Sequence, residues 1–268
     1  MSKTIILIHG AWLNSRSWEG FKARYEAQGH TVLAPDWPLD DRMPEALREA
    51  PDPALAKVGQ NAIIDHYGQI IASLAEAPIL IGHSLGGVVV QHLLDLGLGS
   101  VGVAIDPAPT PGVPLGPHAI VSALPVLLDP FSGGKLKTMS RTFFRTRFAQ
   151  TLPASQADEH YDRYIVPTPA KVYWDGIFGA VKPIDWANPD RAPLLLIGGE
   201  KDLIADASMT RAIYNRQKRA PSKTELRIFP GRSHWTGIDA GWEEVADFAL
   251  EWALANPRSG ARTAGLAA

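Results

Sequence analysis

The nine residues Ile79-Leu80-Ile81-Gly82-His83-Ser84-Leu85-Gly86-Gly87 contain a Gly-x-Ser-x-Gly motif between two apolar segments. Residues 77–80 are small or apolar and predict a buried strand, and residues 86–94 predict a buried helix. A serine on so tight a strand-to-helix turn has a strained backbone, and side chains two positions before and after it would collide. The motif therefore predicts that Ser84 is a nucleophile; the alternative is an ordinary strand-to-helix connection.

Strands and helices alternate along the chain around this motif. Buried strands are predicted from their apolar composition at residues 4–8, 77–80, 101–105 and 193–198. A short strand is predicted at residues 31–34 and a more amphipathic last strand at residues 224–229. The order predicts an α/β fold, in which a mostly parallel, doubly wound sheet has about six strands. Residues 39–58 are rich in proline, aspartate and alanine and predict little regular structure.

One long segment breaks this alternation. Residues 107–189 hold many prolines and several aromatics in short helical stretches, with no clear buried strand. We expect them to form a mainly helical cap inserted into a core made of residues 1–106 and 190–255. The small, polar residues 256–268 predict a mobile tail.

Composition excludes several classes of function. The 268 residues carry a net charge of -2, so no bulk electrostatic attraction to nucleic acid or to an anionic membrane is expected. Because the chain has no cysteine, disulfides, thiolate catalysis and cysteine-ligated metals are excluded. No apolar run approaches a membrane span, and the N-terminal apolar run is too short for a signal peptide. We expect a cytoplasmic protein with no membrane or nucleic-acid partner; its oligomeric state cannot be predicted from these features.

A serine nucleophile needs a base and an acid that orients the base. Asp202 follows the strand predicted at residues 193–198, and His234 follows the last predicted strand. Because the carboxyl ends of parallel strands meet at one edge of a sheet, Ser84, Asp202 and His234 are expected to converge there. Asp106, directly after its own strand, is the main alternative acid, and Asp206 is a further one.

The same chemistry needs two amides that hold the negative oxygen of the tetrahedral intermediate. The amide of Leu85, next after the nucleophile, is one candidate. Ala11, in the loop after the first strand, is the other, and Gly10 would let that loop approach closely.

Together, His9-Gly10, the Ser84 motif, Gly199-Glu200-Lys201-Asp202 and Ser233-His234 resemble the α/β-hydrolase superfamily. The resemblance covers residues 3–106 and 190–255. Because the sequence begins at the His-Gly strand, it is similar to the compact branch that holds plant methylesterases and hydroxynitrile lyases. The resemblance implies acyl transfer through a serine ester, a lid over the site, and neither a cofactor nor a metal.

Site residues narrow the reaction. Ser84 argues against dehalogenases and epoxide hydrolases, which carry aspartate there, and Trp235 stands where hydroxynitrile lyases have lysine. Hydrolysis of a carboxylic ester of a small or medium apolar substrate is the main expectation. Carbon-carbon bond hydrolysis, lactone hydrolysis and a non-catalytic small-molecule binder stay open. Trp12, Trp235 and Trp174 are candidate substrate-binding residues, with plain core packing as the alternative.

Overall fold

The computed structural model describes residues 2–258; the predicted tail therefore lies, from residue 259 on, outside the described residues. Within residues 2–258 the strands are β1 Thr4–Ile8, β2 Thr31–Leu33, β3 Ile79–His83, β4 Val101–Ile105, β5 Leu136–Lys137, β6 Thr168–Pro169, β7 Leu194–Gly199 and β8 Thr224–Phe229. Six of them form one parallel sheet in the order β2-β1-β3-β4-β7-β8, whereas β5 and β6 form a separate antiparallel pair. The sheet confirms the predicted α/β class.

The order of the strands creates a switch point between β1 and β3. Ile6 in β1 pairs with Leu33 of β2 on one side and with Leu80 of β3 on the other. The chain therefore passes from β1 to β2 on one side and then adds β3, β4, β7 and β8 on the other side of β1. In open parallel sheets, ligands bind at the carboxyl ends of strands at such a point.

Helices cover both faces of the sheet. Their bounds are α1 Glu19–Ala27, α2 Pro44–Glu49, α3 Gln60–Ala72, α4 Leu85–Asp95, α5 Pro117–Leu127, α6 Arg141–Phe143, α7 Ala154–Tyr164, α8 Lys171–Ile177, α9 Ala207–Gln217 and α10 Trp242–Ala255. Ile5 and Leu7 pack with α1 and α10, while Ile6 and Ile8 pack with α3, α4 and α9. This alternation follows from the two-residue period of a strand, and it gives the protein two buried apolar layers.

The segment between β4 and β7 holds α5 to α8 and the β5-β6 pair. A π-helical turn, Phe144–Phe148, continues α6. Since β4 and β7 are direct neighbours in the sheet, this long segment leaves the sheet and returns to the adjacent strand. Its role as a separate cap stays a prediction.

Residues 39–58 hold more regular structure than the sequence predicts. They contain α2 and a 3-10 turn at Pro53–Lys57, because prolines at the first position of each segment suit a helix start.

No helix of the described residues is both long and apolar enough to cross a bilayer. The cytoplasmic location stays a prediction.

Candidate active site

Ser84 occupies a strained turn between β3 and α4. Its φ and ψ of 53° and -117° lie in a region that residues with a side chain rarely adopt. A Cβ at Gly82 would lie 2.2 Å from the carbonyl oxygen of Gly86, and a Cβ at Gly86 would lie 2.1 Å from that of Ile8. Both positions therefore require glycine, as the spacing of the motif predicts.

The loop after β1 reaches the same place. A Cβ at Gly10 would lie 2.8 Å from the Cβ of Ser84, so glycine allows this close approach. Ala11 and Leu85 both line the cavity that contains Ser84. Within the described part of the chain, neither of their amides is engaged in a hydrogen bond. The two amides are therefore free to bind an oxygen at Ser84.

His9 fixes the start of that loop. Its Nδ1 donates to the carbonyl of Gly10 over 3.0 Å, and its Nε2 accepts from the amide of Trp37 over 3.2 Å. Burial lowers the pKa of His9 to about 4, so the ring is neutral at physiological pH. A neutral imidazole with one donor and one acceptor matches both bonds and holds the backbone beside Ser84 in place.

The loops after β7 and β8 bring Asp202 to His234. Oδ2 of Asp202 lies 2.7 Å from Nδ1 of His234, and both side chains are fully buried. The other carboxylate oxygen accepts from the amides of Ile204 and Ala205 over 2.6 and 2.9 Å. Asp202 is therefore held by its own loop while it orients the imidazole.

The protonation of His234 depends on this pair. Burial alone would lower its pKa, but the charge of Asp202 and the hydrogen bond to it outweigh burial. The pKa of His234 consequently lies above its ordinary value of 6.5. An imidazole whose cation is stabilised by a buried carboxylate suits a base that must accept a proton.

Asp106 lies close by but has a different partner. One of its oxygens accepts from the amide of Gly199 over 2.6 Å, and the other has no hydrogen-bond partner among the described residues. Burial and the neighbouring charge of Asp202 raise the pKa of Asp106 to about 7. The structure thus places Asp202, and not Asp106, within hydrogen-bond distance of His234. Asp206 instead caps α9, where its side chain accepts from the amides of Ser208 and Met209.

His83, directly before Ser84, connects the nucleophile turn with the histidine loop. Its Nε2 donates to the carbonyl of His234 over 2.9 Å, and the two ring centroids lie 4.8 Å apart. Phe148 covers His234 from the segment between β4 and β7, at 4.7 Å between ring centroids. The Nε2 of His234 is buried and has no hydrogen-bond partner within residues 2–258, so among the described residues no hydrogen bond joins it to the hydroxyl of Ser84.

A metal is not needed to explain this cluster. His83, Asp106 and His234 each offer one ligand atom within 4.8 Å of the others. The hydrogen bonds of His83 to the His234 carbonyl and of His234 to Asp202 nevertheless account for one nitrogen of each ring. We assign no metal to these residues, and the predicted absence of a cofactor stays a prediction.

A cavity of about 320 Å³ opens beside Ser84. Its wall comes from the loop after β1, the turn at Ser84, residues 108–115, and helices α5 and α8. Trp12 lines this cavity, and its role in substrate binding stays a prediction. Among the described residues that line it, none carries a charged side chain.

The other two predicted tryptophans lie elsewhere. Trp235 is buried behind His234, where its ring nitrogen donates to Nδ1 of His160 over 2.7 Å. Trp174 stacks on Phe178 and donates to the hydroxyl of Ser132. Neither lines the cavity at Ser84.

Sequence reasoning missed Gln60, which lines the cavity. It did not single out Tyr173, which also lines the cavity, or Phe148, which covers His234, from the other aromatic residues of 107–189. Gln60 begins α3, and a glutamine at a helix start carries no signal for a binding role. Tyr173 and Phe148 lie in a segment without a sequence pattern that would predict which side chains face inward.

Comparisons with known proteins agree with this fold. The sequence model of a protein family described as the alpha/beta hydrolase family matches residues 5–248 of this chain. A search of curated protein sequences finds no match.

Solved structures of similar fold include a monoacylglycerol lipase from Paleococcus ferrophilus, with 21% identity, a TM-score of 0.68 and 94% of each chain covered. A methylesterase from Arabidopsis has 16% identity and a TM-score of 0.67, covering 94% of this chain and 99% of that one. Tomato methylketone synthase I, solved with 2-tridecanone, has 18% identity and a TM-score of 0.67, covering 96% and 99%. At these identities the likeness shows the fold.

Proposed function

The chain belongs to the alpha/beta hydrolase family, and on that premise we propose that it hydrolyses a carboxylic ester through an acyl-enzyme intermediate on Ser84. One observation carries this proposal. Ser84 has a strained φ of 53° and directly follows His83. His83 donates a hydrogen bond to the backbone carbonyl of His234, and the ring of His234 is hydrogen-bonded to buried Asp202. Esterases and lipases among the structural neighbours support hydrolysis in general.

In the first half of the reaction, Nε2 of His234 takes the proton of Ser84 as Oγ bonds to the carbonyl carbon. The carbonyl oxygen becomes an oxyanion, which the amides of Ala11 and Leu85 bind. When the tetrahedral intermediate collapses, the bond to the alcohol oxygen breaks, and that oxygen takes the proton from His234.

In the second half, water gives a proton to His234 and its oxygen bonds to the acyl carbon. A second tetrahedral intermediate then releases the acid and returns the proton to Oγ of Ser84. Asp202 stays ionised throughout, keeps the proton of neutral His234 on Nδ1, and stabilises the imidazolium.

The cavity supports an uncharged substrate. Its wall within the described residues has no charged side chain, and burying an unpaired charge there would be costly. A volume of about 320 Å³ suits a small or medium molecule. The first expectation is therefore an ester with small or medium, uncharged acyl and alcohol parts.

A serine-directed fluorophosphonate and a panel of p-nitrophenyl esters, lactones and β-diketones test the proposal. We expect one probe per chain, attached to Ser84 and absent after heat denaturation, together with turnover of the esters. Ser84→Ala should abolish labelling and lower kcat by about 10⁴-fold or more. Ser122→Ala is the matched control, because this serine also lines the cavity but donates to the His118 carbonyl.

Labelling that survives in the Ser84→Ala variant would contradict the proposal. Labelling of Ser84 with turnover of lactones or β-diketones alone would favour lactone or carbon-carbon bond hydrolysis. Folded protein that neither reacts with the probe nor turns over any substrate would favour a non-catalytic binder.

A further inference from the structure

Side chains from the segment between β4 and β7 bond the loop of Asp202 on both sides of this aspartate. Nη2 of Arg147 donates to the carbonyl of Leu203 over 3.0 Å. Nε2 of Gln150 donates to the carbonyl of Lys201 over 2.5 Å. Since Lys201 and Leu203 are the sequence neighbours of Asp202, the backbone that carries the proposed acid is held by two hydrogen bonds from outside its own loop.

The loop of His234 is held in the same way. Oγ1 of Thr151 is hydrogen-bonded to Oγ of Ser233 over 2.9 Å, and that Oγ also accepts from the amide of Trp235 over 3.2 Å. The ring nitrogen of Trp235 donates to Nδ1 of His160 over 2.7 Å. Ser233 and Trp235 are the sequence neighbours of His234. All four neighbours of the acid and the base are therefore bonded by side chains of the segment between β4 and β7.

Phe148 adds an apolar contact to the base itself. This residue lies between Arg147 and Gln150 in the sequence and is only 1% exposed. Its ring meets the ring of His234 edge to face at 4.7 Å between centroids, and the ring of Trp235 at 5.5 Å. Because a phenyl ring offers no hydrogen-bonding nitrogen or oxygen, this contact limits the movement of the imidazole without occupying Nε2.

Other contacts attach the same segment to the protein away from the site. The guanidinium of Arg163 donates to the carboxylate of Glu19 in α1. The guanidinium of Arg48 in α2 donates to the carbonyl of Ile165 over 2.7 Å. Attachment of the segment therefore does not depend only on the bonds to the acid and base loops, which leaves those bonds a role in the geometry of the site.

We propose that four side chains of this segment position the acid and the base for proton transfer: Arg147, Gln150, Thr151 and His160. The assignment rests on the proposed ester hydrolysis, in which a misplacement of about 1 Å can lower the rate about 100-fold. Among the described residues that line the Ser84 cavity, none of the four occurs. They are therefore expected to affect the rate of the reaction and not the binding of substrate.

Substitutions that remove these hydrogen bonds test the proposal. Thr151→Val and Gln150→Met should each lower kcat on p-nitrophenyl esters about 10-fold and change KM by less than about two-fold, because the bonds act on the acid-base pair. Thr151→Ser keeps the hydroxyl and should retain most of the wild-type kcat. Thr146→Val is the matched control, because the hydroxyl of Thr146 donates to the carbonyl of Thr142 and not to a loop of the site.

Proton NMR gives a readout that does not require turnover. The proton between Nδ1 of His234 and Oδ2 of Asp202 lies in a charge-assisted hydrogen bond of 2.7 Å and should give a strongly downfield resonance. Loss of the resonance in His234→Ala assigns it. In Thr151→Val and Gln150→Met it should move upfield and exchange faster with water, whereas Thr146→Val should leave it unchanged.

Circular dichroism and thermal melting confirm that each variant is folded. An unchanged kcat and resonance in both Thr151→Val and Gln150→Met would overturn the positioning role, while labelling of Ser84 by the fluorophosphonate would still support hydrolysis. A loss of kcat that Thr146→Val shares, with an unchanged resonance, would reflect general destabilisation and would also overturn it. If wild-type protein neither reacts with the probe nor turns over an ester, the hydrolysis fails, and the resonance alone decides the positioning role.

Discussion

Nδ1 of His234 lies 2.7 Å from Oδ2 of Asp202, whereas the nearby carboxylate of Asp106 is bonded to the amide of Gly199. This arrangement favours Asp202 over Asp106 for the proposed role of orienting His234. We expect Asp202→Asn to lower kcat by about 10⁴-fold, because an amide facing Nδ1 favours the tautomer that has its proton on Nε2. Steady-state kinetics on p-nitrophenyl esters measure the loss.

Asp106→Asn is the matched control, since it also replaces a fully buried carboxylate beside His234. It should lower kcat at neutral pH by less than about 10-fold, because Asp106 does not bond the imidazole. A larger loss in Asp106→Asn than in Asp202→Asn would reverse the assignment.

The pH dependence of kcat/KM should follow His234. Its protonated form has no free nitrogen to accept the proton of Ser84, so the rate must fall as the pH falls through the pKa of His234. Because Asp202 raises that pKa above 6.5, half of the maximal rate is expected above pH 6.5. A profile from about pH 5 to pH 9 checks this expectation.

Asp202→Asn removes the charge that raises the pKa of His234, so the acid limb of its residual activity should move to lower pH. An unchanged limb in that variant would show that another group controls the rate.

Asp106 should make the free energy of unfolding fall as the pH rises from 3.8 to about 7. Burial and the charge of Asp202 raise its pKa from 3.8 to about 7, so the folded state holds a proton that the unfolded state has lost. The resulting stabilisation is complete below pH 3.8 and is lost as the pH rises through about 7. Asp106→Asn should remove this dependence, and urea unfolding at several pH values measures it. Parallel curves of stability against pH for the two proteins would contradict the prediction.

The ion pair between Glu19 in α1 and Arg163 in α7 should contribute little stability. The two groups lie 2.7 Å apart, but their side chains are 41% and 47% exposed, so water screens the attraction. We expect Arg163→Met to lower the free energy of unfolding by less than about 1 kcal/mol, as measured by urea unfolding. A loss of several kcal/mol would mean that this contact anchors the segment between β4 and β7 to the rest of the protein.

Local sequence patterns predicted the parts of the site that lie at strand ends. The turn at Ser84 and the loops of Asp202 and His234 follow strands of one parallel sheet, whose carboxyl ends lie at the same edge. The choice between Asp202 and Asp106 depended on tertiary geometry, because both aspartates follow neighbouring strands.

Groups that line the cavity were harder to predict. Trp12, Trp174 and Trp235 are chemically equivalent in the sequence, yet only Trp12 reaches the cavity. Packing within the segment between β4 and β7, which has no regular period in its sequence, decides which side chains face Ser84.

The glycines of the nucleophile turn should tolerate no side chain. In Gly82→Ala and Gly86→Ala the new Cβ would lie 2.2 Å and 2.1 Å from backbone carbonyl oxygens, and neither backbone can move without disturbing the sheet. We expect each variant to lose at least about 3 kcal/mol of stability and most of its reactivity toward fluorophosphonate. Gly68→Ala in α3 is the matched control, because its nearest contact is an ordinary 3.7 Å to Leu98 and alanine favours a helix by about 0.5–1 kcal/mol. Thermal melting and probe labelling of the three variants compare these effects, and a Gly82→Ala protein with unchanged Tm and labelling would show that the turn is not constrained by sterics.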